Sequence, residues 1–428
     1  MVGELRASRF LPAPDKVLKT GADEQTNAGG NRAGARIPFT CLIPRRLRAQ
    51  PRFSHKGHSV YKRPDYATAR ARAGFSWHVS ATYLAYLKLA DVPIRRFFLE
   101  PEACIEAYRV GRRKVRESFG EDVKLAGPAT PPISYGHPNG LGCELLFPEG
   151  GEVAAEHAFA DSLDRASRTL DRPVDFARAG MAPFYLRFRQ RMEKAFPGES
   201  VGFSYGDEGP ITTAYVLRGG AFFTDLIDEP AKTREFLRRL TRSILEFHAF
   251  RCSVWGVAPI SPDGSGLCDD IASMVPPRLW REIVLPSWEL YYTGKTTGTR
   301  SAHVEDLRPE QLGFLEEVGL SFYDPSISSH LDPKTIAARC RVPFLWRLGS
   351  FHYPALTVPE VEEFVFRAVA DGASRVVTYI EGSMCGVETV PKVLAFIRAA
   401  KQVERLFAEG VSRQQIEGYA SGAVASRK

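Results

Sequence analysis

The feature that most restricts the fold of this chain is a regular alternation of short apolar runs and amphipathic segments after residue 200. The longest amphipathic segment, 230–250, has the spacing of a helix with one buried face. The apolar runs have the length and composition of β-strands and lie at 201–205, 254–260, 301–304, 320–323, 343–348 and 375–380. Because strands that alternate with helices pair in parallel through right-handed crossovers, the pattern predicts an α/β fold. At 428 residues, a (β/α)8 TIM barrel is the leading arrangement.

Residues 1–60 differ from the rest of the chain in composition. They are rich in Gly, Pro, Arg and Ala and show no sustained periodicity, which predicts a disordered or loosely attached segment. Residues 1–72 contain fifteen Lys and Arg against five Asp and Glu, so the net charge of +7 arises at this end of the chain. We therefore expect a basic extension at 1–60, the barrel at 61–408 and a C-terminal tail at 409–428.

Composition argues against several classes of function. The body of the chain has no basic stripe interleaved with aromatic residues, so nucleic-acid binding is not expected. No apolar run is long enough to span a membrane, and no glycine-rich phosphate-binding loop supports a nucleotide cofactor. The seven cysteines are scattered without a Cys-x-x-Cys pair, which indicates free thiols in a reducing compartment. We expect a cytoplasmic protein.

Several candidate site residues follow from the barrel prediction, because active sites of such barrels collect at the carboxyl ends of the strands. Asp324 ends a predicted strand and is a candidate catalytic residue. Asp207, Asp269 and Asp270 are candidates for substrate contact, although an aspartate that precedes a helix also serves as a cap.

Two further candidates for substrate contact, Tyr135 and His137, lie in the loop SYGHPNGLG at 134–142. The alternative for a histidine in a loop rich in Gly and Pro is a structural or exposed position.

The stretch GTRSAHVED, at 298–306, contains the strongest candidate for a metal site. In an extended strand alternate side chains point the same way, so His303 and Glu305 would project together near the end of a strand. If Cys385 follows a later strand of the same barrel, its thiolate could complete a His, Glu and Cys site that suits zinc and leaves one position for substrate. Glu305 is also a candidate acid or base. The alternative is a hydrogen-bonded histidine beside a surface glutamate.

Three segments resemble the uroporphyrinogen decarboxylase superfamily, which also contains corrinoid-dependent methyltransferases such as the methylcobamide:coenzyme M enzymes. They are GDEGPITTAYVLRGGAFFTDLIDEP at 206–230, CDDIASMVPPRLWREIVLPSWELYY at 268–292 and EGSMCGVETVPKVLAFIRAAKQ at 381–402. The first segment contains the Arg218-Gly219 pair, and Arg218 is a further candidate for substrate contact. The resemblance implies a (β/α)8 barrel.

The resemblance to the methyltransferase branch implies a zinc ion and a partner protein that carries a corrinoid. His303 matches the histidine of that branch, Cys385 matches its last cysteine, and Glu305 stands where the branch has its first cysteine. A ligand set with one thiolate fewer leaves zinc more Lewis acidic, which suits activation of an ether or a tertiary amine. The arginine-rich clamp and the acidic SDI segment of the decarboxylase branch are not visible.

Three hypotheses for function follow. The leading one is a zinc-dependent methyltransferase that moves a methyl group between a small methylated substrate and a corrinoid protein. The second is a uroporphyrinogen decarboxylase-like enzyme of tetrapyrrole metabolism, in which Asp207, Asp269 or Asp270 contacts the substrate. The third is a ligand-binding barrel without catalytic activity.

Overall fold

The computed structural model describes residues 61–420. Contacts within the chain separate two units, Met1–Lys56 and Gly57–Lys428, and everything below concerns the second unit. The predicted basic extension at 1–60 lies outside the described residues, as does the end of the predicted C-terminal tail.

Short strands alternate with helices along most of the described chain. The strands are β1 Ser76–Ala81, β2 Lys124–Leu125, β3 Leu145–Leu146, β4 Ala154–Ala155, β5 Gly264–Cys268, β6 Thr299–His303, β7 Phe322–Asp324, β8 Leu345–Arg347 and β9 Arg375–Ile380. The first half of the helices comprises α1 Ala69–Ala73, α2 Tyr83–Ala90, α3 Ile94–Leu99, α4 Pro101–Glu106, α5 Arg112–Phe119, α6 Gly136–Gly140, α7 Leu163–Thr169 and α8 Ala182–Ala195. The second half comprises α9 Pro210–Arg218, α10 Ala221–Asp228, α11 Pro230–Trp255, α12 Val284–Lys295, α13 Gly313–Glu317, α14 Pro333–Arg339, α15 Val358–Ala370, α16 Val390–Ala408 and α17 Arg413–Ala420.

Single turns of other helix types join these elements. A π-helical turn, Ala107–Gly111, connects α4 to α5. Short 3-10 helices follow the carboxyl ends of three strands: Asp270–Met274 follows β5, Ser350–His352 follows β8 and Gly382–Met384 follows β9. These turns place side chains beside the strand ends.

The strands of the main sheets pair in parallel. One sheet has the order β2, β1, β9, β8, and another has the order β5, β6, β7. An isolated parallel bridge between Tyr323 and Phe344 joins β7 to the residue before β8. Two more bridges join the segment after β2 to Gly202 and Tyr205, and the predicted strand at 201–205 is present only as these isolated bridges. The predicted α/β fold with parallel strands is therefore confirmed.

Closure of the strands into a complete barrel stays a prediction. Among the pairings within residues 61–420, the β-ladder is interrupted between 201–205 and β5. One backbone hydrogen bond crosses near this position, from the amide of Gly209 to the carbonyl of Cys268 at 2.6 Å.

The predicted strand at 254–260 is wrong. Helix α11 continues through Trp255 and ends at Gly256, whose φ of +70° closes the helix in a left-handed conformation. Val254 and Trp255 have side chains that favour strands, but here they extend the face of a 26-residue helix. The strand of this region is β5, whose sequence GSGLC contains few residues of high strand propensity.

The end of the described chain is helical. The predicted C-terminal tail at 409–428 includes α17, which packs on α15. Ile416 of α17 is fully buried, and the ring of Tyr419 stacks on Phe366 with centroids 6.3 Å apart. Within 61–420, no helix combines the length and the apolar character needed to cross a membrane.

Candidate functional site

Three chemically active side chains lie in one row at the carboxyl ends of β5, β6 and β7. The register of these parallel strands pairs Cys268 with His303 and His303 with Asp324. Side-chain direction alternates along each strand, and the preceding residues Ala302 and Tyr323 are buried on the opposite side. The row therefore faces away from the covering helices, on the side open to a ligand.

His303 is held in one orientation by a carboxylate. Its Nδ1 lies 2.9 Å from Asp324 Oδ2, and Asp324 Oδ1 accepts a hydrogen bond of 2.7 Å from the amide of Ser326. The other ring nitrogen, Nε2, lies 3.8 Å from Asp270 Oδ1 and 3.8 Å from Glu305 Oε1. Burial lowers the pKa of His303, but the hydrogen bond to Asp324 and the three negative charges outweigh burial and raise the pKa to about 9.

Asp270 and Glu305 are tied to each other through the backbone. The amide of Glu305 donates a hydrogen bond of 2.9 Å to Asp270 Oδ1, which joins the segments that follow β5 and β6. Burial and the nearby charges of Glu305 and Asp324 raise the pKa of Asp270, while the hydrogen bond and His303 lower it. Together His303, Asp324, Asp270 and Glu305 form what we call the strand-end cluster.

Glu208 faces this cluster. The sequence places Glu208 beside Asp207 at the end of the predicted strand at 201–205, but it is not among the candidates for catalysis or substrate contact. Burial raises the pKa of Glu208 to about 8, and the charges of Asp270, Asp269 and Asp207 act in the same direction. The alternation of apolar residues before Glu208 indicates the direction of its side chain. Val201, Phe203 and Tyr205 are buried, so the alternation of 201–208 places Glu208 on the opposite side, toward the strand ends.

Tyr135 and Cys268 also border the strand-end cluster. Burial raises the pKa of Tyr135, with additional contributions from Glu208, Glu152 and Asp270. Cys268 is exposed, but the protein atoms that crowd its thiol and the neighbouring carboxylates raise its pKa to about 12, so the thiol is protonated. The role of Tyr135 in substrate contact stays a prediction.

Asp207 points in the opposite direction and lies in a buried ion-pair network. Its side chain is 1% exposed, Lys295 Nζ donates to Oδ2 at 2.7 Å, and Arg251 donates to Oδ1. Although burial raises the pKa of Asp207, Lys295 and Arg251 hold it well below its usual range. The structure does not bring Asp207 to the cluster, since both of its oxygens bind structural cations.

Asp269 is also buried, behind its neighbour Asp270. Its carboxylate accepts hydrogen bonds from the amides of Ile211 and Thr212 at 3.3 and 2.6 Å, and from Trp288 Nε1 at 2.6 Å. These amides belong to the first turn of α9, whose N–H groups have no partner within the helix. Asp269 thus caps a helix distant in sequence.

Two other predicted substrate contacts, Arg218 and His137, are also engaged away from the cluster. Arg218 is buried, binds both oxygens of Asp225 at 2.8 and 2.9 Å and donates to the carbonyl of Phe159. His137 is fully buried, with Nε2 3.0 Å from Ser243 Oγ, and burial lowers its pKa to about 3.

Cys385 lies in the turn after β9. Its thiol donates to the carbonyl of Glu381 at 3.6 Å, and burial raises its pKa to about 11. A polar chain connects this turn to the cluster: Arg347 donates to Glu381 Oε1 at 3.1 Å and to Ser326 Oγ at 3.3 Å. The described contacts join Cys385 to the cluster only through these intermediates.

The structure brings together two of the three ligands predicted for zinc. His303 and Glu305 lie side by side, and Asp324 orients the imidazole as the partner of a metal ligand would. In the described part of the chain, no three His, Cys, Asp or Glu donors converge in the arrangement of a metal site. The trio of His303, Glu305 and Cys385 stays a prediction.

Comparisons with known proteins give a likeness in fold. No protein-family model matches the chain, and no curated protein matches it. Among solved structures 17 chains match, including a methyltransferase from Methanosarcina mazei with a TM-score of 0.57 and 16% sequence identity. The match covers 79% of this chain and 97% of that one. At this identity the likeness shows a shared fold.

Proposed function

We propose that the protein is a methyltransferase whose active site is the strand-end cluster, and that it moves a methyl group between a small methylated substrate and a corrinoid carried by a partner protein. The observation that carries this proposal is the pairing of His303 with Asp324 beside Glu305 and Asp270, at the carboxyl ends of parallel strands. The fold likeness to a methyltransferase supports it.

We also propose that the parallel strands close into a (β/α)8 barrel around this site. The order of pairings supports closure, because β1 pairs with β9 and the remaining strands follow in chain order. The hydrogen bond between Gly209 and Cys268 lies where the missing ladder would form. A barrel would bring Glu208, which follows the bridged residues Gly202 and Tyr205, to the same mouth as His303.

Glu208 has a chemical role in this proposal. Removal of a methyl group from an oxygen or an uncharged nitrogen leaves negative charge on that atom, and a proton donor relieves it. Because the pKa of Glu208 is raised to about 8, its carboxyl group is protonated near neutral pH and faces the cluster. Glu208 would therefore protonate the leaving atom, while His303, Asp270 and Glu305 would position the substrate.

Zinc belongs to the proposal with His303 and Glu305 as ligands and Cys385 as the third ligand that the sequence resemblance implies. The hydrogen bond from His303 to Asp324 leaves Nε2 on the side of Glu305, and zinc would displace the proton that the raised pKa keeps on the ring at neutral pH. When bound, zinc supplies Lewis acidity to the substrate heteroatom.

The metal content of purified protein tests the proposed zinc site. Wild-type protein reconstituted with zinc and dialysed is expected to hold about one ion per chain, and His303→Ala and Glu305→Ala should each lose most of it. Elemental analysis of the folded proteins measures the effect. Cys385→Ser should also lose zinc, whereas Cys268→Ser should retain it. If Cys268→Ser loses zinc and Cys385→Ser retains it, the thiolate ligand lies on β5 and the role of Cys385 is contradicted.

A rim of exposed apolar side chains supports docking of a partner over the strand ends. Met274, Phe351 and Val387 are each more than half exposed. They lie in the segments that follow β5, β8 and β9, beside the ends that carry the cluster. Apolar groups that remain exposed around a polar mouth suit contact with another macromolecule.

Charge placed on this rim should weaken binding of the partner protein. The double variant Phe351→Asp and Val387→Asp is expected to raise the KM for the corrinoid protein about tenfold, since each change places an unpaired charge in an apolar contact. Transfer to free cobalamin should stay unchanged. Ile227→Asp, an exposed apolar residue of α10, is the matched control. Equal effects of both sets of changes would contradict docking at the rim.

The decarboxylase hypothesis receives less support from the geometry. Two of its three candidate substrate contacts, Asp207 and Asp269, are buried and bound to structural partners. Only Asp270 borders the cluster.

The direct test of the proposed function is a spectroscopic assay of methyl transfer. Purified protein is mixed with cob(I)alamin and with methylated amines, methyl ethers or methyl thioethers, and the change in cobalamin absorbance is followed. Catalysed methylation by one substrate class, dependent on His303, supports the proposal. Absence of transfer with every class, for protein shown to be folded, would refute it.

A further inference from the structure

A second cleft, separate from the strand-end cluster, lies between α7 and α11. It consists of two cavities of about 470 and 410 Å³ that share Leu141, Thr169, Arg172 and Val174 in their walls. Arg239 of α11 joins the two helices by donating a hydrogen bond of 2.9 Å to the carbonyl of Ser167. Volumes of this size suit a small molecule.

The walls of this cleft are rich in arginine. The lining arginines are Arg165, Arg168, Arg172, Arg238, Arg239 and Arg242. Three of them are neutralised by neighbours: Arg165 pairs with Asp161, Arg238 with Glu235 and Arg239 with Asp171.

The other three arginines are less neutralised, although Glu235, which Arg238 holds, also lies near Arg242. Among residues 61–420, neither an ion pair nor a side-chain hydrogen bond engages Arg168, Arg172 or Arg242. Glu246 is the lining acid that no arginine holds, and burial raises its pKa. The cleft therefore presents an excess of free guanidinium groups from two sides.

The floor of the cleft adds a hydroxyl donor. Ser243 is 8% exposed, and its Oγ contacts Nε2 of His137 at 3.0 Å. The Nδ1 atom of His137 is buried without a partner, and an unpaired buried N–H is rarer than an unpaired acceptor. Because the neutral ring carries one N–H, we assign it to Nε2, which donates to Ser243.

This arrangement leaves the hydroxyl hydrogen of Ser243 free. Two residues earlier on α11, Thr241 donates its hydroxyl to the carbonyl of Leu237 at 2.7 Å. Ser243 makes no corresponding bond to its own helix among the described contacts. Its hydrogen is available to a ligand in the cleft, so His137 acts here by orienting a serine.

We propose that this cleft binds a small molecule that carries two or more phosphate groups. Planar guanidinium groups bind phosphate oxygens in pairs, and free arginines from α11 and from the end of α7 can hold separate phosphates. The hydroxyl of Ser243 contributes a further donor at the floor. The site shares no lining residue with the strand-end cluster, so its ligand is distinct from the methylated substrate.

Calorimetric titration with inorganic pyrophosphate tests this site. The full-length protein is expected to bind it saturably at one site, and Arg172→Gln and Arg242→Gln should each weaken binding about tenfold, the loss of one charge-assisted hydrogen bond. Ser243→Ala should weaken it by a smaller factor. Arg187→Gln is the matched control, since Arg187 is an exposed arginine of α8 outside the cleft.

Three results would overturn the proposal. They are the absence of saturable binding, an equal loss in Arg187→Gln, and binding of citrate as tight as that of pyrophosphate, which would show recognition of charge without recognition of phosphate. Thermal unfolding of each variant confirms that the fold is kept. Because the titration does not depend on methyl transfer, its outcome is independent of the function proposed above.

Discussion

Replacing Asp207 by asparagine is expected to lower the free energy of unfolding by about 3–5 kcal/mol, the usual cost of removing one partner from a buried ion pair. The variant would leave Lys295 buried beside Arg251 with no carboxylate between them. Lys295 would retain the hydroxyl of Tyr291, at 2.6 Å, and the face of the same ring, whose centroid lies 3.9 Å from Nζ. Chemical denaturation followed by circular dichroism measures the change.

The neighbouring residue provides the matched control. Glu208→Gln keeps the shape of a protonated carboxyl group in the same segment, so stability should change by less than about 1 kcal/mol. Methyl transfer by this variant should fall, because an amide does not donate the proton. The reverse pattern, with Glu208→Gln unstable and Asp207→Asn stable, would show that the assigned directions of these two side chains are wrong.

The pH dependence of stability gives a second test of the buried ion pair of Asp207. The pKa of Asp207 is lower in the folded protein than in the unfolded chain. The carboxylate therefore stabilises the fold at pH above its unfolded pKa of about 4, and this stabilisation is lost as pH falls toward the folded pKa. Wild-type protein should therefore lose stability on acidification below about pH 4 more steeply than Asp207→Asn. If the free energy of unfolding falls equally with pH in the two proteins, the buried ion pair of Asp207 is contradicted.

Replacing His303 by alanine is expected to reduce kcat/KM for methyl transfer by about 10²–10⁴, the range found when a positioned proton-transfer group or a metal ligand is removed. His303 contacts or approaches Asp324, Asp270 and Glu305, so its loss separates the cluster. The variant should also be less stable near neutral pH, because the raised pKa of His303 means that its protonated ring stabilises the folded protein, so activity is compared at a temperature where both proteins are folded.

Asp324→Asn tests whether orientation of the imidazole matters. It removes the charge but keeps the side-chain shape, and we expect a smaller loss of about 10- to 100-fold, typical of groups that orient a ligand. His330→Ala is the matched control, since His330 is exposed in the loop between β7 and α14. Comparable activity of His303→Ala and wild type would refute an active site at the strand-end cluster.

Much of the fold follows from local patterns. Strands at 301–304, 320–323, 343–348 and 375–380 were predictable because apolar and β-branched residues at these positions suit a buried parallel sheet. The strand β5 was not, because its glycines carry no side-chain signal. Pairing with β6 makes these residues a strand, and the paired residues of β6, such as Thr299 opposite Gly264, lie 35 positions later in the chain.

Part of the site was also determined by sequence. The alternation of His303 and Glu305 is a local property of a strand, and the structure places both side chains together. The same rule applied to 201–208 would have favoured Glu208 over Asp207, because Val201, Phe203 and Tyr205 give the phase of the buried side.

Tertiary structure alone decided which polar residues serve structure. Asp207 is neutralised by Lys295, which lies 88 positions away, and Asp269 caps a helix that begins 59 positions earlier, at Pro210. Polar groups buried in a protein must find partners, and those partners are set by which elements pack together. The sequence determined the periodicity and the types of side chain at the strand ends. The packing of distant helices determined which of these side chains remain free for a ligand, since a carboxylate whose oxygens are both bound to buried donors cannot also bind a substrate.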